Sequence, residues 1–398
     1  MRGHGCGRLL QTVVTLFLAT LAALAVVPLV AARLLSEGLP VPRSLYADGR
    51  LPAVIERRAG EIGGRIGGLT LEAVGPLKEI ALALGPDAIA EAVVRRFEAD
   101  HTAILSRVAG RHLGMVWRGL PGAVKVQFED HLLRTVPRAI HHALGEVVEA
   151  IDDLIDVPAM QTRFFGARPA MLAAMIGSVA TPAFRALVVL MPLLAAGPAA
   201  LAIFMPGIAG LVGGTALGYL ASVASVGWLF TPPPQAWRHR VPGALFSPLL
   251  PERRRITGYY ADTVADEAFR LPVVIDELVA GRGARATRAI VERRVNGIFA
   301  RMPGRLLLSM VISPSAMNGM VQSATDELLA LLTAVARDPA LGDGCAERLR
   351  GRVIDRFEQL DDLAFLGLQH NVLRLEMPLL HAVVVALFVA VGLAAALL

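Results

Sequence analysis

The feature that most constrains this chain is a set of long apolar runs almost free of charge. A helix crossing a hydrocarbon core of roughly 30 Å needs about 20 such residues. Residues 9–32 supply 24 without a charged side chain. Residues 169–230 carry only Arg185 over 62 positions, too many for one crossing and suited to a hairpin turning at Met205-Pro206-Gly207. Residues 377–398 end the sequence and hold only His381. The pattern predicts transmembrane helices at 9–32, 183–204, 208–230 and 377–398. Arg2 and Arg8 precede the first run as they would a secretory signal, but it exceeds the about 7–15 residues of a signal core and reads as an uncleaved anchor. Composition agrees, with 55% hydrophobic and 18% charged residues where soluble domains carry about 25% charge.

Between the apolar runs lie two charged stretches, 33–182 and 231–376, each long enough to bury a small core. Both read as helical soluble domains. Val136, Ile140, Leu144, Val147 and Ile151 recur at helical spacing, as do Leu349, Val353, Phe357, Leu360, Ala364, Leu368, Val372 and Leu375. The second series predicts one continuous helix running into the last span. Strand signals are nearly absent, so the fold class expected is all-α. The two halves share the order span, charged helical region, span. Glu149-Ala-Ile-Asp-Asp-Leu154 aligns without gaps on Glu358-Gln-Leu-Asp-Asp-Leu363, which suggests an internal duplication. Arg33, Arg43, Arg168, Arg238, Arg240 and Arg374 flank the spans on the charged side, against Arg2 and Arg8 on the other. Positive charge collects on the cytoplasmic side, so both charged stretches are expected there, in a cell membrane crossed several times.

The third span carries Gly210, Gly214, Gly218 and Ser222 at intervals of four, a small-residue face suited to close helix packing. Thr231-Pro-Pro-Pro ends it. Arg238, Arg240, Arg253, Arg254 and Arg255 follow and are candidates for anionic lipid headgroups, which such clusters favour by about 1 kcal/mol per charge. Topology-fixing charge is the competing reading. The run Gly218-Tyr-Leu-Ala-Ser-Val-Ala-Ser-Val-Gly-Trp-Leu-Phe-Thr-Pro232, then Phe246-Ser-Pro-Leu-Leu-Pro-Glu-Arg-Arg254, resembles the uncharacterised YheB/YjiN-like bacterial membrane proteins, catalogued as domain of unknown function 445. That family has Thr-Asn-Trp where this chain has Ala221, Ser222 and Val223. The resemblance implies an integral membrane protein and no known reaction.

Reactive constellations are scarce. Cys6 and Cys345 are too far apart in sequence to indicate a disulfide framework or a Cys-based zinc site. His141-His142 forms no H-E-x-x-H motif and reads as helix surface. The Gly63–Gly68 run follows no strand, so it reads as a flexible or close-packed turn and not as a phosphate loop. The pairs Asp152-Asp153 and Asp361-Asp362 diverge by about 100° on a helix and read as solvated surface. Arg185, Glu376 and His381 sit near span ends, where snorkelling accounts for the first two. No cofactor and no metal site is expected, and a nucleic-acid role is disfavoured because no basic face interleaves with aromatics. The expectation is a non-enzymatic membrane protein in a structural or protein-interaction role. Its partners are the lipid bilayer, anionic headgroups and other membrane proteins or copies of itself. The alternative is a small-solute transporter or channel.

Overall fold

The computed structural model describes residues 39–40, 50–51, 54–119, 121–177, 247–302 and 313–374, with shorter pieces between 186 and 231 and between 377 and 389. All four apolar windows fall wholly or mostly outside these residues. Among the described residues, no helix is long and apolar enough to cross a membrane. They are all-α but for one antiparallel pair of two-residue strands, β1 (Leu39–Pro40) and β2 (Arg50–Leu51), with Leu39 opposite Leu51.

The first charged stretch gives α1 (Ala59–Val74), α2 (Leu77–Ala83), α3 (Pro86–Leu113), α4 (Gly122–Glu149), α5 (Ile151–Leu154) and α6 (Val157–Ala167). The second gives α7 (Arg253–Thr263), continued by a π-helical turn at Val264–Ala268. After it come α8 (Leu271–Ala280), α9 (Ala284–Ala300), α10 (Pro314–Ala336), α11 (Pro339–Gln359) and α12 (Asp362–Leu373). Pro86, Pro272 and Pro314 sit in the first turns of α3, α8 and α10, where a missing N–H costs nothing.

The chain does not pack in two consecutive domains. It forms two compact units that each draw on both charged stretches: unit 1 is Met1–Leu69, Gln161–Tyr260 and Phe357–Leu398, and unit 2 is Thr70–Met160 and Ala261–Arg356. In unit 2, α3 packs along α4 and α10, α9 lies against α4 and α10, and α8 against α9 and α10. Val93, Phe97, Val108, Val136, Ile140, Ile298, Met320 and Val335 form one buried cluster across these helices. The reason is visible in the faces: no single stretch closes its apolar side alone, because α3 and α4 leave a stripe that α9 and α10 cover. In unit 1, Ile62, Phe165, Leu172, Ile256, Phe357, Phe365 and Leu366 are almost fully buried.

Two sequence expectations change here. The Gly63–Gly68 run is no turn and lies inside α1. A Cβ on Gly63 would stand 2.7 Å from Phe165 and 2.9 Å from the Gln161 carbonyl oxygen. Glycine is therefore required by the closeness of α6, and the resulting contact buries Phe165 to 1% exposure. The long helix expected over 349–375 is also interrupted. Leu349, Val353 and Phe357 are buried on α11 as their spacing implies, but that helix ends at Gln359. Asp361 then caps α12, accepting from Ala364 N at 2.7 Å. Beyond the break Phe365, Leu366 and Gln369 are buried and Ala364 is exposed, because a new helix begins with its own rotation.

Candidate functional site

Unit 2 is joined by ion pairs that reach from one charged stretch to the other. Arg107 of α3 makes a two-point contact with Glu327 of α10, at 3.0 and 2.7 Å. Arg356 of α11 donates to Glu79 of α2 at 2.9 Å and to the Val74 carbonyl at 3.1 Å, and Arg352 meets the same carboxylate. Arg282 meets Asp156 at 2.8 Å, and Arg294 of α9 meets Glu146 of α4. Hydrogen bonds from these guanidinium groups hold Glu79 and Glu327 below the usual carboxylate range. Arg350, on α11, reaches Asp262 at 2.7 Å and Asp266 at 2.7 and 2.8 Å, and its own pKa rises as a result. Asp266 lies in the π-helical turn, whose extra residue alters the direction of its side chain relative to Asp262.

A second polar contact in unit 2 has enzyme-like spacing. His112 Nε2 and Ser323 Oγ are hydrogen-bonded at 2.7 Å, and Arg111 donates to the same oxygen at 3.4 Å. Nucleophile and base pair at this distance. However, Ser323 is 7% exposed within α10, and among the described residues no carboxylate is hydrogen-bonded to the other nitrogen of His112. The pair works as a latch between α3 and α10. Gly319 makes room for it, since a Cβ there would stand 2.7 Å from the imidazole ring. The buried Cys345 thiol is pushed up by burial, with Arg348 opposing, and is correspondingly unreactive.

Two concavities lie beside this framework. One, of about 60 Å³, is lined by apolar side chains of α3, α4, α8, α9 and α10 together with Thr287 and Arg294. Thr287 is 2% exposed, and its hydroxyl finds no partner among the described residues. The other is a groove of about 580 Å³ along α10, with α9 and the end of α8 as its far wall. Its α10 side is Asp326, Leu329, Ala330, Thr333, Ala334 and Arg337, the i, i+3, i+4, i+7, i+8, i+11 stripe of one helix face. Arg285 and Arg288 of α9 and Val279 of α8 complete it. Arg288 pairs with Asp326 at 2.6 Å, while Arg285 and Arg337 are exposed and make no ion pair among the described residues.

The residues singled out in sequence fare unevenly. Gly210, Gly214, Gly218, Ser222, Arg238 and Arg240 lie outside the described residues. Arg253, Arg254 and Arg255 open α7, in unit 1. Arg253 is not free for a headgroup: it pairs with Asp362 at 3.2 Å, donates to the Phe357 and Leu360 carbonyls at 2.6 and 2.5 Å, and stacks 5.1 Å from the Phe365 ring centre. Arg255 pairs with Glu252 one turn away, leaving Arg254 exposed. Asp152 and Asp153 are exposed as expected, and so are His141 and His142. Asp361 is exposed as well and caps α12, while Asp362 is half-buried and pairs with Arg253, which corrects its reading as solvated surface. Among the described residues, no group of three or more His, Cys, Asp or Glu side chains is arranged to hold a metal.

Sequence reasoning missed the Arg285–Arg288–Arg337 groove altogether. The only signal was the α10 stripe of small residues between Asp326 and Arg337, and nothing local distinguished it from ordinary solvated helix. Comparison with known proteins yields no matching family model, no similar curated protein and no similar solved structure. By fold, the described part of the chain is an all-α protein built on interlocked helices from two halves.

Proposed function

We propose that this is an integral membrane protein whose two charged stretches fold together on one side of the membrane and serve as a non-enzymatic interaction platform. The observation that supports this reading is the composition of unit 2. Residues 70–160 and 261–356 pack into one body through the Arg107–Glu327, Arg356–Glu79 and Arg282–Asp156 pairs. Two segments that share a core stand on the same side of any bilayer. The apolar stretch between them then crosses an even number of times, as a hairpin of 183–204 and 208–230 does.

The two spans at 9–32 and 377–398 complete this reading, and the arginine bias of the flanks favours the cytoplasmic face of the cell membrane. The shared order of helices supports a duplicated origin. In each half a first helix is followed by a short one (α2 or α8) and then by a longer one (α3 or α9). The resemblance to the YheB/YjiN-like proteins accords with the same plan and rests on the sequence frame around the third span. Anionic headgroups remain proposed partners for Arg238, Arg240, Arg254 and the half-exposed Arg255, with the structural arginine Arg253 removed from that set.

Single cysteines introduced at exposed Arg95 and exposed Arg301, each in a Cys6→Ala background, test the topology in intact cells. Both should resist an impermeant thiol reagent, and a cysteine appended after Leu398 should react. Labelling at only one of positions 95 and 301 would separate the two stretches and sink the proposal.

A further inference from the structure

We propose that the groove along α10 receives an acidic amphipathic helix of a partner protein. This rests on the interaction-platform reading and names its partner chemistry. The groove follows one helix face for three turns, about 16 Å at 1.5 Å per residue. Its floor is low because Ala330 and Ala334, both exposed, carry only methyl groups. A volume of about 580 Å³ corresponds to roughly twenty water-sized groups at about 30 Å³ each. Several large aliphatic side chains of one helix face fill that space, which is how a helix docks in an apolar groove through i, i+3, i+4 and i+7 anchors.

Charge then selects the occupant. Three guanidinium groups line the groove against one carboxylate, and that carboxylate, Asp326, is already paired with Arg288. Of these three guanidinium groups, Arg285 and Arg337 make no ion pair among the described residues, and both are exposed. A basic helix meets repulsion there, and an acidic one finds two charges already on the rim. A lipid headgroup would satisfy the same charges, but it would leave three turns of shaped apolar floor to a disordered chain. Rim charges act mainly on encounter rate and on choice of partner, so binding should weaken steeply with salt.

The test uses the full-length protein in detergent micelles and two labelled synthetic peptides about five turns long. Both carry the same leucine face, one flanked by glutamates and the other by lysines. The acidic peptide should bind and the basic one should not, by fluorescence anisotropy at low salt. Arg285→Glu with Arg337→Glu should invert that preference. Ala334→Trp, which fills the floor from an exposed position, should weaken the acidic peptide at least about tenfold. Arg285→Gln with Arg337→Gln supplies a milder pair should the reversal impair folding, and it should weaken the acidic peptide alone. Equal binding of both peptides, binding of neither, or indifference to Ala334→Trp would overturn the assignment. So would capture of nanodiscs containing acidic phospholipid through Arg285 and Arg337 without any peptide binding, which would make the groove a headgroup site. Neither position 95 nor position 301 lines the groove, so thiol labelling there is independent of these outcomes and the topology and the groove fail separately.

Discussion

The segments Glu149–Leu154 and Glu358–Leu363 match at four of six positions, and they fold differently. In the first, α4 ends at Glu149, whose carboxylate meets Lys78 at 2.6 Å. Asp152 and Asp153 then lie exposed in the single turn of α5, and the capping carboxylate comes later, where Asp156 accepts from Ala159 N at 3.1 Å. In the second, α11 continues through Gln359, and Asp361 itself caps the next helix. The difference is one guanidinium. Arg253 gathers the Phe357 and Leu360 carbonyls at the end of α11 and holds Asp362 beside them. It thus fixes where one helix stops and the next begins. Orphan carbonyls at a helix C-terminus carry partial negative charge, and a cation placed there satisfies both demands. An aspartate's role at these junctions follows from where the preceding helix is made to stop.

The largest effect expected from this contrast is at Arg253. Its side chain is 21% exposed and serves two carbonyls and a carboxylate, so Arg253→Gln should destabilise unit 1 by about 2–3 kcal/mol. Denaturant unfolding of the full chain in detergent measures this. No loss of stability would mean that the α11 end is set by something other than this side chain.

Next in size are the caps. Asp361→Ala should cost about 1 kcal/mol, while Asp152→Ala, at the aligned position, should stay within about 0.5 kcal/mol. Equal costs would break the claim that the two junctions differ. The smallest effect concerns Arg282, the cation beside the first junction. It is 78% exposed where it meets Asp156, and Arg282→Gln should cost less than about 0.5 kcal/mol. Asp156→Asn should be similarly mild because the amide oxygen still caps α6, whereas Asp156→Ala loses the cap and about 1 kcal/mol with it. If Asp156→Asn and Asp156→Ala cost the same, the cap contributes nothing there, and a shared large cost would assign the effect to the charge.

Helical periodicity made much of this legible in advance. Val136, Ile140, Val147 and Ile151 are buried as their spacing implies, and so are Leu349, Val353 and Phe357. Periodicity failed at Leu360, where the apolar rhythm continues across a helix break marked by the Asp361 cap and by Arg253 on the last carbonyls. It failed also at Gly63, where glycines that weaken a helix in isolation are kept by the approach of Phe165 and Gln161. The arginine groove was hidden for a related reason. Arg285 and Arg337 stand 52 positions apart in sequence, and each alone resembles any charge on a solvated helix face.

What the sequence determined by itself is the class of element and the inward face of most helices, because both depend on neighbours one turn away along the same backbone. It also marked four long apolar windows, which fall wholly or mostly outside the described residues. The tertiary structure decided which helices keep company: that 70–160 closes on 261–356, that Arg253 is consumed inside unit 1, and that Arg285 and Arg337 are left at a groove. Burial and ion pairing act through space over a few ångströms, whatever the distance along the chain. Residues 107 and 327 therefore share an ion pair that no local pattern around either one announces.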